Sequence, residues 1–252
     1  ASSADTKGMR SMHRNLKRLS AFFLGLLLSL GTGSEAFSAA SIWDNDSTSW
    51  TTSFADGDPA DTGNSRNAAT PELAVDSNGI LYIVYTQDTG GIDRVYLSRY
   101  NGTDFRIWDG SGWTTDFSAG DPIDLDIVNP GDAANPQLAI DNNDTVYITY
   151  EQDDAAGISN IYLSRYDGTD VEIWDNDNSE WTDSFGNGDP VDTGKAKNAT
   201  TPQLAIDNDN VVYVTYSQVD DAANTHIYLS RYDKTDVEIW DNDNSEWTDS
   251  FG

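Results

Sequence analysis

Oxygen-bearing side chains set on alternate positions are the first feature of this sequence able to do chemistry. Asp175, Asp177 and Glu180 lie in Asp-Asn-Asp-Asn-Ser-Glu, and Asp241, Asp243 and Glu246 lie in an identical copy. Hard cations are held by carboxylate and carbonyl oxygens at such spacings, and calcium is the cation this pattern suits. Asp189 and Asp192, in Gly-Asp-Pro-Val-Asp, extend the candidate set, and that motif recurs at 120–124 and 57–61. Asp, Asn, Gly and Pro are also the ordinary turn formers. The stretch Asp109-Gly110-Ser111-Gly112 replaces the acidic run in an earlier copy, which an obligatory metal site would not tolerate. The spacing also departs from that of the helix-loop-helix calcium loop. Both points favour plain turns, with calcium as the functional alternative.

Aromatic and basic residues carry the next possibilities. Trp43 with Trp50, Trp108 with Trp113, Trp174 with Trp181 and Trp240 with Trp247 account for all eight tryptophans. The first of each pair sits in Ile-Trp-Asp. The second, Trp113, Trp181 or Trp247 in the later copies, follows turn residues and is the better candidate for an exposed ring that stacks on sugar. Tryptophan repeated at one point of every unit more often packs unit against unit. Arg99, Arg165 and Arg231 each stand in Ser-Arg-Tyr. One arginine repeated in identical settings pairs locally with acids rather than building a catalytic clamp. The chain has no cysteine, which removes disulfides, zinc-thiolate sites and thiol nucleophiles. His226 replaces Asn160 and reads as a loop substitution without a partner.

These residues recur because the elements that carry them recur, with a period of about 66 residues. Full units start at Pro71, Pro136 and Pro202, and the second and third agree at 39 of 51 aligned positions. Alternation in the second unit predicts four strands: Gln137 to Asp141, Thr145 to Gln152, Ile161 to Tyr166 and Val171 to Asp175. Asp141-Asn142-Asn143-Asp144 and Asp167-Gly168 supply turns between them. In the third unit Lys234 takes the place of that glycine. Both faces of the strands carry Tyr, Trp, Val, Ile or Leu, whereas a sheet with one solvated face would show a polar side. A sheet sandwiched between two like sheets fits, and that is a propeller blade. The expected fold is therefore all-β, a β-propeller of four-stranded antiparallel blades.

Pro-Gln-Leu-Ala-Ile-Asp, Val-Tyr-Ile-Thr-Tyr and Ile-Tyr-Leu-Ser-Arg-Tyr-Asp-Gly-Thr together resemble the blade repeat of sialidase-like, Asp-box β-propellers. The resemblance runs through residues 42–252 in periodicity and strand order and is one of fold. Segment 164–169 departs from the family's Ser-x-Asp-x-Gly-x-Thr-Trp in spacing and lacks the aromatic after threonine. A sialidase would further need a tyrosine nucleophile with a glutamate base, and no Tyr–Glu pair stands out from the repeat. Three full units plus one strand fall short of a closed ring, so the chain is expected to be an open fragment with an unsatisfied outer face.

The segments divide as follows. Residues 1–8, ahead of Met9, read as upstream read-through or a remnant. Residues 9–40 read as a signal peptide, with Arg10, Arg14, Lys17 and Arg18 before an apolar run from Leu19 to Leu30 that is short for a membrane span. Residues 41–70 form an N-terminal strand and linker, followed by blades at 71–135, 136–201 and 202–252. The chain has 14 basic and 43 acidic residues, a formal charge of −29. Such a surface repels phosphate backbones and anionic lipid, so nucleic acid is excluded as a partner and no stable membrane insertion is expected after cleavage. The expectation is a secreted, extracellular or periplasmic binding or surface-scaffold module without catalysis of its own, meeting a glycan or protein surface. An exported sialidase-like glycoside hydrolase and a calcium-dependent adhesion module are the alternatives.

Overall fold

Alternating apolar residues punctuated by Asp-Asn and Asp-Gly turns give seventeen strands in the computed structural model, which describes residues 40–44, 47–55, 57–61, 66–124, 131–193 and 197–249. Residues 1–39, which hold the upstream stretch and nearly all of the expected signal segment, lie outside the described residues, as do 250–252. Strands β1 (Ile42–Asp44) and β2 (Ser49–Thr51) form a hairpin. The first full sheet comprises β3 (Ala68–Val75), β4 (Leu81–Asp88), β5 (Asp93–Tyr100), β6 (Phe105–Trp108) and β7 (Trp113–Thr114). The second comprises β8 (Ala133–Ile140), β9 (Val146–Asp153), β10 (Ser159–Tyr166), β11 (Val171–Asp175) and β12 (Glu180–Thr182). The third comprises β13 (Ala199–Ile206), β14 (Val212–Val219), β15 (Thr225–Tyr232), β16 (Val237–Asp241) and β17 (Glu246–Thr248). Every pairing is antiparallel between chain neighbours, so each sheet is a meander.

The first strands lie side by side, β3 next to β8 and β8 next to β13, and the sheets pack face to face as propeller blades. The four strands expected per blade are present. A short fifth strand, which carries the second tryptophan of the pair, adds to the outer edge of each blade. Alternation could not reveal it, because two or three residues are too few to show a period.

Double-sided burial is the driving force. Val146, Ile148 and Tyr150 face the first blade, while Tyr147, Ile161 and Leu163 face the third, and all are at most 5% exposed. Burying a side chain of this size contributes about 1.5–3 kcal/mol. Where no further sheet packs among the described residues, the equivalent residues are bare. Ile227 is 75% exposed and Trp240 38%, although their counterparts Ile161 and Trp174 are buried. On the opposite side, Leu73 and Val75 of β3 are exposed.

The inner strands begin earlier than expected and run through Pro71, Pro136 and Pro202. The residue before each proline, Thr70, Asn135 or Thr201, has φ of 49°, 49° or 53°, and the register with the second strand shifts there. The bulge lets a residue with no N–H sit inside a paired strand. Left-handed backbone ahead of proline is strained, at a cost on the order of 1–3 kcal/mol. Among the described residues, no helix is long and apolar enough to cross a membrane.

Candidate functional site

The tryptophan pairs cross-pair on the outer hairpins, Trp43 with Trp50, Trp108 with Trp113, Trp174 with Trp181 and Trp240 with Trp247, with rings edge to face. The first three pairs each meet the tyrosine of Ser-Arg-Tyr in the following unit. Trp43 and Trp50 meet Tyr100, Trp108 and Trp113 meet Tyr166, and Trp174 and Trp181 meet Tyr232. Trp50 Nε1 and Trp113 Nε1 donate to Tyr100 and Tyr166 hydroxyls at 3.0 Å. Trp181 Nε1 is buried with no partner among the described residues. The periodic tryptophans are thus the seams between blades.

Trp113, Trp181 and Trp247, the candidates for sugar stacking, are half-buried. One face of each is covered by a guanidinium: Arg99 at 4.3 Å, Arg165 at 4.5 Å and Arg231 at 4.3 Å from the ring centre. Arg165 and Arg231 also pair with Glu172 and Glu238 across the sheet. His226 is not a partnerless loop residue. It lies on β15, and its Nε2 stands 3.0 Å from Asp220 Oδ2, because the strand starts two residues earlier than alternation indicated.

The acidic residues proposed as ligands are engaged with their own backbone. Asp175 accepts from Asn178 N at 3.0 Å and Asn178 Nδ2 at 2.9 Å, and Asp241 accepts likewise from Asn244, as well as from Asp243 N. Glu180 and Glu246 are exposed on β12 and β17, opposite Asp175 and Asp241. Asp177 and Asp243 are turn residues, and Asp189 Oδ2 accepts from Asp177 N at 3.0 Å. Burial pushes the Asp189 carboxyl up, and the charges of Asp177 and Asp175 add to the rise. Asp192 is fully buried and caps Ile161 N at 2.9 Å. Among the described residues, no three Asp, Glu or His side chains stand close enough to share a metal ion.

The Gly-Asp-Pro linkers act as clasps. Ile123 N donates to Val95 O and Val191 N to Ile161 O, which lays each linker on the third strand of its own blade. The outward carbonyls of Ile123 and Val191 then accept from Ser164 and Ser230 of the next blade. The glycine is required by proximity, not by φ. A Cβ on Gly120 or Gly188 would lie 2.3 Å from Ile107 Cδ1 or Ile173 Cδ1. That contact links Ile-Trp-Asp to Gly-Asp-Pro in the first two blades, and Gly57 repeats it against Ile42 at the N-terminal hairpin.

Two of the places that differ between units carry charged side chains at a cleft or between blades. Between the first and second blades lies a cleft of about 580 Å³, lined by Trp108, Asp121, Asp124, Asp170, Asp183, Ser184 and Phe185 among others. Arg94 holds its buried edge: Nη2 is 2.7 Å and Nε 2.8 Å from Asp124 Oδ1. Burial pushes the Asp124 carboxyl up, against the pull of Arg94 and Val95 N–H. In the other blades Asn160 and His226 occupy the Arg94 position.

The second place is Glu151 on β9. It stands where the other blades carry Thr86 and Ser217. Its Oε1 accepts from Asn135 Nδ2 at 2.5 Å, and its Oε2 accepts from Thr201 N at 3.0 Å, so it bridges two strained pre-proline bulges. Alternation within one strand did not mark Glu151 or Arg94. Setting the three units in register would have shown both as departures from the repeat.

No family model matches the chain, and no curated protein matches it. Solved structures do. A Hadza microbial sialidase, Hz136, is 12% identical over 70% of this chain and 42% of its own, with a TM-score of 0.41. A glycosyl hydrolase from Bacteroides ovatus is 10% identical over 73% of this chain and 52% of its own, with a TM-score of 0.44. A thermostable family-43 glycoside hydrolase is 16% identical over 72% of this chain and 57% of its own, with a TM-score of 0.38. The chain spans about half the length of these structures.

Proposed function

We propose that this chain is a glycan-binding module of an exported propeller protein, and that its ligand sits in the cleft between the first and second blades. The observation that carries this reading is the lining of that cleft. Asp121, Asp170, Asp183 and Ser184 offer acceptors to sugar hydroxyls, and Phe185 offers apolar surface. Asp124, the carboxylate at the cleft's base, is tied to Arg94 and to Val95 N, an arrangement that suits architecture better than proton transfer. A glycan array probed with the full chain tests the proposal. Retention should be lost in Phe185→Ala and Asp183→Ala, and silence of the parent chain on the array would leave a scaffold and sink the binding reading.

A second reading, an exported glycoside hydrolase, is favoured by Glu151. It is a single carboxylate on the inner bulges, held by two blades and absent from their equivalents. Hydrolysis needs a pair of carboxylates, so its partner would have to come from another part of the protein. Release of dye from a panel of aryl glycosides, abolished in Glu151→Gln, would replace the first reading with this one.

A further inference from the structure

We propose that Arg99 and Arg106 form a carboxylate-binding site on the first blade. The two later blades show what this position is built to hold. Arg165 stands directly opposite Glu172, with Nε at 2.8 Å and Nη2 at 2.7 Å from Oε2. Arg231 and Glu238 repeat the arrangement at 2.8 and 2.7 Å. Each guanidinium sits over the second tryptophan of its blade, which restricts the direction of its donor fork.

Arg99 has the same cross-strand position and the same indole seat, 4.3 Å from the Trp113 ring centre. Its opposite residue, however, is Arg106. Arg106 Nη2 reaches Asp104 at 3.2 Å, while the Nε atoms of both arginines are buried with no hydrogen-bond partner among the described residues. Like charges directly opposed across a sheet destabilise it, and buried donors left unmade carry a desolvation penalty that nothing offsets. A carboxylate between the two forks removes both penalties.

The ligand enters along Arg106, whose side chain is 34% exposed. A carboxylate is the favoured anion for two reasons. The sibling forks each hold a carboxylate, and a chain of formal charge −29 discriminates against dianions such as phosphate and sulfate.

The choice of a sugar acid as one probe rests on the glycan reading; the site itself does not. Nitrogen-15 spectra of the arginine Nε–H groups in the full chain, at fixed ionic strength, provide the test. Acetate and glucuronate should shift the Arg99 and Arg106 signals saturably, with a Kd on the order of 1–10 mM, and glucose should not. Arg106→Glu recreates the pair found in the sibling blades. It should fold at least as stably as the parent and weaken the response roughly tenfold or more. Shifts that are absent, that follow glucose equally, or that persist in Arg106→Glu overturn the proposal. Acetate binding without glucuronate binding supports the arginine pair and counts against the glycan reading.

Discussion

Replacing Tyr166 by Phe removes one oxygen atom and leaves the ring contacts with Trp108 and Trp113 in place. That oxygen accepts from Trp113 Nε1 at 3.0 Å and donates to Gly168 O at 2.8 Å. Gly168 is exposed, so its carbonyl can turn to water. Trp113 is half-buried, and its N–H would lose its partner. Leaving such a donor unmet costs about 1–3 kcal/mol, and partial exposure places the expected loss at about 1–2 kcal/mol. The third blade offers a matched control, because Trp181 Nε1 already lacks a partner. Tyr232→Phe should therefore change stability by less than about 0.5 kcal/mol. Tyr100→Phe should fall between the two, since Trp50, the donor there, is 49% exposed. Urea unfolding of the three variants, with unchanged slopes, measures the order directly. Equal losses at Tyr166 and Tyr232 would refute the claim that these hydroxyls act by satisfying the seam tryptophan.

Three further outcomes are expected. Gly188→Ala should destabilise by about 1–3 kcal/mol through overpacking, and the added change Ile173→Val, which removes the nearest clashing atom, should restore part of that loss in urea unfolding. The Asn224 backbone N–H, its side-chain amide and His226 hold the Asp220 carboxyl at about 2, below its ordinary 3.8. The stabilisation this gives is present above the ordinary value and is lost as pH falls through about 2, so an Asp220→Asn deficit in thermal melts should shrink over that window. Millimolar calcium, reversed by chelator, should move the melting temperature by no more than about 1–2 degrees, because Asp175 and Asp241 already accept from their own loops. A larger rise, lost in Asp189→Asn, would assign Asp175, Asp177 and Asp189 as ligands.

The blade architecture was legible because period and alternation act over many residues. Strands with two apolar faces left few alternatives to stacking. The strained turn at Lys234 was legible too: it has φ of 85° where Gly102 and Gly168 have 90° and 100°. What stayed hidden depends on distances across the fold. Ser164 gives no sign in sequence that it reaches the carbonyl of Ile123, and Gly120 looks like a turn glycine until Ile107 is seen against it. The same holds for the candidate sites. Glu151, Arg94 and Arg106 were present as departures from the repeat, but only the register of the sheets shows which residues they replace.

Each unit carries one half of the seam at its end and the complementary half near its middle. The tryptophan pair and the linker carbonyl leave one blade, and the tyrosine and serine of the next receive them. Unequal recombination that gains or loses one whole period therefore rejoins a donor half to a receiver half without inventing a new junction. Copy number is the direction in which such a gene can drift at least cost to folding. Novelty must instead come from point changes at places the seam does not use, such as Arg94, Arg106 and Glu151.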